Sequence, residues 1–92
     1  MHSLIIGGGK IGYYLTKVLI EKGYDVSVVE KEKEACQKFA NDLNITVIKG
    51  DGTSVSVLEQ AGVADADSVI AVTGRDEDNL VACQLAKRLY QV

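Results

Sequence analysis

A cluster of glycines near the N-terminus limits the fold more than any other feature. Gly7-Gly8-Gly9-Lys10-Ile11-Gly12 directly follows a short apolar run, residues 3–6, and opens a stretch in which Ile11, Leu15, Val18 and Leu19 recur at helical spacing. Glycine-rich loops are common, but a G-x-G-x-x-G string between a strand and an amphipathic helix has a specific geometric use. Gly7 permits the tight turn, Gly9 leaves the backbone bare so that a pyrophosphate can approach, and Gly12 lets helix and strand pack closely. The start of the helix then offers unpaired N–H groups and a partial positive charge to an anion.

The rest of the chain repeats this strand-then-helix pattern. Apolar, β-branched runs occur at residues 3–6, 25–29, 46–48 and 68–72. Their near-continuous apolar character suits strands buried on both faces. After the second run, Ala35, Cys36, Phe39, Ala40 and Leu43 share a helical face; a shorter helix over about residues 55–61 places Leu58 and Ala61 inward. A last helix from about Glu77 groups Leu80, Cys83, Ala86 and Tyr90. Gly23 and Gly62 follow the first and third helices, where left-handed caps are expected. No proline interrupts any of these elements. The alternation predicts an α/β fold with right-handed crossovers. The expected architecture is a Rossmann-like parallel sheet of strand order 3-2-1-4, truncated before strands 5 and 6. Residues 1–92 then form a single partial Rossmann domain. Residues 68–72 read as an interior strand placed at an edge, which predicts self-association there or through the last helix.

The fingerprint also requires an acidic residue at the end of the second strand, about 20 residues beyond the glycines. Glu30 occupies that place. A carboxylate there accepts both ribose hydroxyls of an adenosine and repels a 2′-phosphate, which disfavours NADP; the adjacent Lys31 weakens that exclusion. Lys10 reads equally well as a phosphate partner or as a solvated side chain. Lys31, Glu32, Lys33 and Glu34 read as an exposed helix start.

Several function classes recede. The chain is 47% hydrophobic and 25% charged with a net charge of −3, so no general attraction to nucleic acid or acidic lipid is expected. No apolar run approaches the roughly 20 residues of a membrane span, and no signal-peptide pattern is visible. Cys36 and Cys83 lack metal-ligand spacing and read as reduced, buried core residues of a cytoplasmic protein. His2, at a frayed start, is assigned neither a catalytic nor a metal role. Tyr13 and Lys17, at helical spacing, mark a helix surface rather than a proton-transfer pair. No catalytic constellation is found.

In chain order, several segments together resemble a known family: Gly7 to Gly12, Gly23-Tyr24-Asp25-Val26, Gly50-Asp51-Gly52-Thr53, Ala61-Gly62-Val63, Ala66-Asp67, Val69-Ile70-Ala71-Val72-Thr73-Gly74, Asp76-Glu77 and Asn79-Leu80. They resemble the N-terminal nucleotide-binding domain of the regulator-of-potassium-conductance family. That family includes regulatory subunits of Trk and Ktr potassium uptake systems and gating domains of potassium channels. The resemblance implies a domain that binds NAD(H) or ATP/ADP/AMP and gates an ion-conducting membrane protein through oligomeric rings. The expected cofactor-binding set is Gly7, Gly9, Lys10, Ile11 and Gly12 at the phosphates, and Glu30 with Lys31 at the ribose. Asp51, Gly52 and Thr53 belong near the adenosine, and Thr73 and Gly74 near the phosphates or the second ribose. The implied partners are a membrane potassium transporter or channel subunit and further copies of the chain, with no nucleic acid and no direct membrane insertion. The implied location is cytoplasmic, at the inner face of the cell membrane through that partner.

Two departures matter. Gly52 stands where the family usually has a small side chain such as alanine, so a looser turn and weaker nucleotide affinity are expected. Family members also carry two further strands and usually a C-terminal ligand domain. With the adenosine half of the site present and much of the second half not, ATP, ADP or AMP should lose less affinity than NAD. The alternatives are a cofactor-binding domain of an NAD-dependent oxidoreductase and an interaction module that keeps the glycine turn without a ligand.

Overall fold

β1 (His2–Ile6) runs through the middle of the sheet because it is apolar on both faces: Leu4 and Ile5 are 0% exposed and Ile6 1%. The computed structural model of the chain describes residues 1–7, 9–43 and 45–72. Gly8, Thr73, Gly74, Cys83 and the helix expected from Glu77 lie outside the described residues. After β1 come α1 (Lys10–Glu21), β2 (Asp25–Glu30), α2 (Lys33–Asp42), β3 (Thr46–Lys49), α3 (Val55–Gln60), a 3-10 turn (Val63–Asp65) and β4 (Ser68–Ala71). The four strands form one parallel sheet in the order β3-β2-β1-β4, as expected for a Rossmann-like fold.

The pleat sends alternate side chains to opposite faces. Ile5, Val26 and Val28 pack with Phe39 of α2 and with Leu15, Leu19 and Ile20 of α1. Leu4, Ile6 and Val29 pack on the other face with Leu58 of α3, Ala61 and Val63. Each such side chain contributes roughly 1.5–3 kcal/mol on full burial, so the two layers clamp the sheet from both sides. Gly23 (φ 85°) and Gly62 (φ 83°) take the left-handed conformation expected after α1 and α3.

Three sequence expectations need correction. Ile11 does not face inward: it is 70% exposed, as is Tyr14, and the buried residues of α1 are Gly12 and Thr16. The helix touches the strand through its smallest residue, and each residue turns about 100° around the axis, so a neighbour of Gly12 is carried outward. Ala40 is likewise exposed, because Phe39 takes the inward position of α2. The chain start is not frayed. His2 opens β1, its N–H donates to Asp67 Oδ2 (2.7 Å), its carbonyl accepts from the Asp67 N–H (2.8 Å), and Nε2 lies 2.9 Å from Ser27 Oγ.

Candidate functional site

At the C-terminal ends of β1 to β3 three loops come side by side. The Gly7 N–H donates to the Val29 carbonyl (2.8 Å) and the Gly50 N–H to the Glu30 carbonyl (2.9 Å). These bonds carry the ladders one step past the strands and align Gly7, Glu30 and Gly50. Gly7 has φ 110°, a value costly for any residue with a Cβ. Gly12 answers to contact rather than conformation: a Cβ there would lie 2.2 Å from the Gly7 carbonyl oxygen and 3.4 Å from Val72 Cγ2. The first turn of α1 is thus seated directly on the turn that precedes it. Among the described residues, a Cβ at Gly9 would meet nothing within 4 Å.

The first bond of the α1 ladder runs from the Tyr13 N–H to the Gly9 carbonyl (2.9 Å). The N–H groups of Lys10, Ile11 and Gly12 precede that ladder and carry the positive end of the helix dipole. Ile11, whose side chain is exposed, brings to this place its main-chain N–H. Lys10 is exposed at the same turn.

Glu30 ends β2 on the pleat face it shares with Val26 and Val28, the face covered by α1 and α2. It is 8% exposed, and its Oε2 accepts a hydrogen bond from the Glu32 N–H at the start of α2. The carboxylate is therefore held by backbone at the strand end, whereas Lys31 is exposed. Cys36 of α2 is half-buried and free, and its thiol donates to the Glu30 carbonyl (3.4 Å). Burial and the Glu30 charge raise the Cys36 pKa above its ordinary value, opposed in part by Lys49.

After β3 the chain forms a self-braced turn. Asp51 Oδ1 accepts from the Thr53 N–H (2.9 Å) and Thr53 Oγ1 (2.7 Å), and the Asp51 carbonyl accepts from the Ser54 N–H (3.0 Å). Ser54 then caps α3, its hydroxyl accepting from the Val57 N–H (3.5 Å). Gly52 does not loosen this turn, which Asp51 and Thr53 brace; a Cβ at position 52 would lie 2.3 Å from Ile6 Cγ2.

Residues 3–92 match the family model of the TrkA-N domain. The chain belongs to the TrkA-N domain family. This TrkA-N domain is 41% identical over 87 residues to a Trk system potassium uptake protein TrkA homolog of Methanothermobacter thermautotrophicus, covering 95% of the chain and 40% of that protein. It is 37% identical over 90 residues to the Trk system potassium uptake protein TrkA of Haemophilus influenzae, covering 98% of the chain and 20% of that protein. The chain therefore spans two-fifths or less of the length of these curated relatives. Among solved structures, the Shewanella denitrificans Kef CTD in its AMP-bound form superposes with a TM-score of 0.84 at 22% identity, covering 99% of this chain and 54% of that one. ChuY, an anaerobillin reductase of Escherichia coli O157:H7, superposes at 0.75 with 21% identity over 100% of this chain and 47% of that one. At such identities the two likenesses show the fold alone.

In this TrkA-N domain Tyr13 is part of a helix–helix seam. Its ring meets Phe39 edge-on at 5.5 Å, its hydroxyl donates to Asp42 Oδ2 (3.0 Å), and the ammonium groups of Lys17 and Lys38 lie over the ring at 5.9 and 4.5 Å. Desolvation and then Asp42 raise the phenol pKa, the opposite of what a proton-transfer tyrosine needs. Among the described residues no group of three His, Cys, Asp or Glu is placed to hold a metal, and no helix is long and apolar enough to cross a membrane.

Sequence reasoning missed two residues that shape the site. Thr16 is 0% exposed on the inner face of α1, its Oγ1 donating to the Gly12 carbonyl (2.7 Å); the signal was its place four residues after Gly12, on the same helix face. Ile6 read as plain core, and nothing in its sequence position announced its contact with Gly52.

Proposed function

We propose that the chain is the nucleotide-binding part of a potassium-uptake regulator, and that it holds an adenine nucleotide at the C-terminal ends of β1 to β3. Gly7, Gly9, Lys10, Ile11 and Gly12 take the phosphates. Glu30 takes the ribose hydroxyls with Lys31 beside it, and Asp51, Gly52 and Thr53 flank the adenosine. Thr73 and Gly74 complete the set by resemblance. The observation that carries this reading is the seating of α1 on Gly7 through Gly12, with no described side chain against Gly9. Three main-chain N–H groups then face the space an anion would fill. The AMP in the Kef CTD, a domain of the same fold, supports the choice of an adenine nucleotide.

Nucleotide exchange between NAD(H), ATP, ADP or AMP then biases two arrangements of an oligomeric assembly, which acts on a membrane potassium transporter or channel subunit at the cytoplasmic face. Such a ligand shifts the assembly only by as much as it prefers one arrangement to the other. The role requires no chemistry on the nucleotide, and the use of Tyr13 as a packing residue favours a regulator over an oxidoreductase.

Isothermal titration with ATP, ADP, AMP, NAD and NADH tests the reading. Saturable binding of at least one adenine nucleotide is expected, and none at millimolar concentration overturns it. Steady consumption of NADH with a small carbonyl compound would move the chain to the oxidoreductase class.

A further inference from the structure

Gly52 has no conformational reason to be glycine, since its φ lies outside the left-handed region occupied by Gly7, Gly23 and Gly62. Its reason is Ile6. A Cβ at position 52 would lie 2.3 Å from Ile6 Cγ2, 3.6 Å from its Cβ and 3.7 Å from its Cγ1. Ile6 cannot give way. It is 1% exposed, packs in the cluster of Leu4, Val29 and Leu58, and is β-branched, which leaves few χ1 positions. The backbone of Ile6 is fixed as well, paired with Val29 on one side and Ala71 on the other, and its carbonyl accepts from the Val72 N–H (2.8 Å).

Ile6 is also the residue immediately before the Gly7 turn. The loop that rests on its Cγ2 methyl is stiff, because Asp51 and Thr53 brace it internally and Gly50 is tied to Glu30. A stiff loop moved at Gly52 moves as a unit, so one methyl group sets how close the segment Asp51 to Thr53 comes to the glycine turn.

We propose that the Gly52–Ile6 contact is a positioning device: the Ile6 Cγ2 methyl fixes the width of the gap between the loop after β3 and the β1–α1 turn, and so fits that gap to an adenosine phosphate. The proposal rests on the nucleotide reading above. Glycine at position 52 is then the counterpart of a β-branched residue at position 6, and not a slackening of the turn.

A double-mutant cycle in this chain tests it, with ADP as the probe, read by calorimetry and by thermal melting of the unliganded protein. Gly52→Ala adds a methyl to the contact and is expected to weaken ADP binding about tenfold and lower the melting temperature. Ile6→Leu removes the β-branch at nearly constant volume and is expected to melt close to wild type while binding ADP about threefold more weakly. The combination moves the methyl from one side of the contact to the other and is expected to bind within about twofold of wild type. Ile6→Val keeps the β-branch and is expected not to rescue Gly52→Ala.

A Gly52→Ala chain that melts lower but binds ADP as wild type does would reduce the contact to packing and overturn the proposal. A double variant no better than Gly52→Ala would overturn it too. Should Gly52→Ala fail to fold, the ADP affinities of Ile6→Leu and the double variant decide. Failure of the wild-type chain to bind ADP or any other adenine nucleotide overturns the functional reading itself. Binding that ignores the contact overturns the positioning role alone.

Discussion

The two ends of the sheet are finished in opposite ways. At the C-terminal end, side chains are removed: Gly7, Gly50 and Gly52 occupy the loops and Gly12 the first turn of α1, and a Cβ at Gly12, Gly50 or Gly52 would come within 3 Å of a neighbouring atom. At the N-terminal end, side chains are added: His2 reaches Ser27, Ser3 Oγ meets Ser68 Oγ at 2.8 Å, and Asp67 accepts from the His2 N–H. Among the described residues, one end brings backbone groups and the start of a helix together, while the other joins side chains by hydrogen bonds across the strands. A parallel sheet bears its ligand at the carboxyl ends of its strands because only there do βα loops present the N-termini of helices. The contrast predicts that substitutions at the two ends separate binding from stability.

The largest effect is expected at Gly12. In Gly12→Ala the new methyl must displace the Gly7 carbonyl, and overpacking of that kind costs about 3 kcal/mol or more. For a domain of this size that lowers the melting temperature by at least about 12 °C, readable by circular dichroism, and adenine-nucleotide binding is lost with it. A variant that melts and binds like the wild type would remove the main support for the glycine end as a built site.

Glu30→Gln comes next. The amide still accepts from the Glu32 N–H, so the backbone contact that holds the side chain is kept. Loss of a charged acceptor for ribose hydroxyls is expected to weaken ADP or NAD about tenfold in titration. An unchanged affinity would show that the ribose does not lie at the end of β2.

Ser27→Ala probes the N-terminal end of the sheet. It removes the partner of His2 and should lower stability by about 0.5–1.5 kcal/mol while leaving nucleotide affinity as it was. A matching fall in affinity would erase the distinction between the two ends.

The smallest effect concerns Tyr13, at the seam of α1 and α2. Its phenol pKa is raised in the folded chain, so the proton is held more tightly there than in the unfolded chain. The stability gained is fully present below the unfolded pKa of about 10 and is lost as pH rises through the higher folded value. Tyr13→Phe should therefore melt with a shallower alkaline decline than wild type, and an identical decline would place the alkaline sensitivity elsewhere.

The order of strands and helices was legible from periodicity, because apolar runs and helical stripes are local patterns that tertiary packing only has to accept, although burial on both faces is reached in β1 and β2 and not in β3 and β4. The glycine turn and Glu30 were legible for a related reason: their spacing along the chain is set by the length of one βα unit. Ile11 misled, since a helix that touches its strand through Gly12 turns the neighbouring apolar residue outward, and the contact distance is not written in the helical period. His2 misled likewise, because its partners Ser27 and Asp67 are distant in sequence.

The sequence by itself determined the parallel α/β architecture, the backbone that can face an anion and the acid at the end of β2, all of which follow from local spacing and residue type. Only the tertiary structure decided which glycines are required by contact. Gly12 is pressed on the Gly7 carbonyl and Gly52 on the Ile6 methyl. The physical reason is that steric exclusion acts between atoms close in space, and residues 6 and 52 become neighbours only after three parallel strands have taken their places.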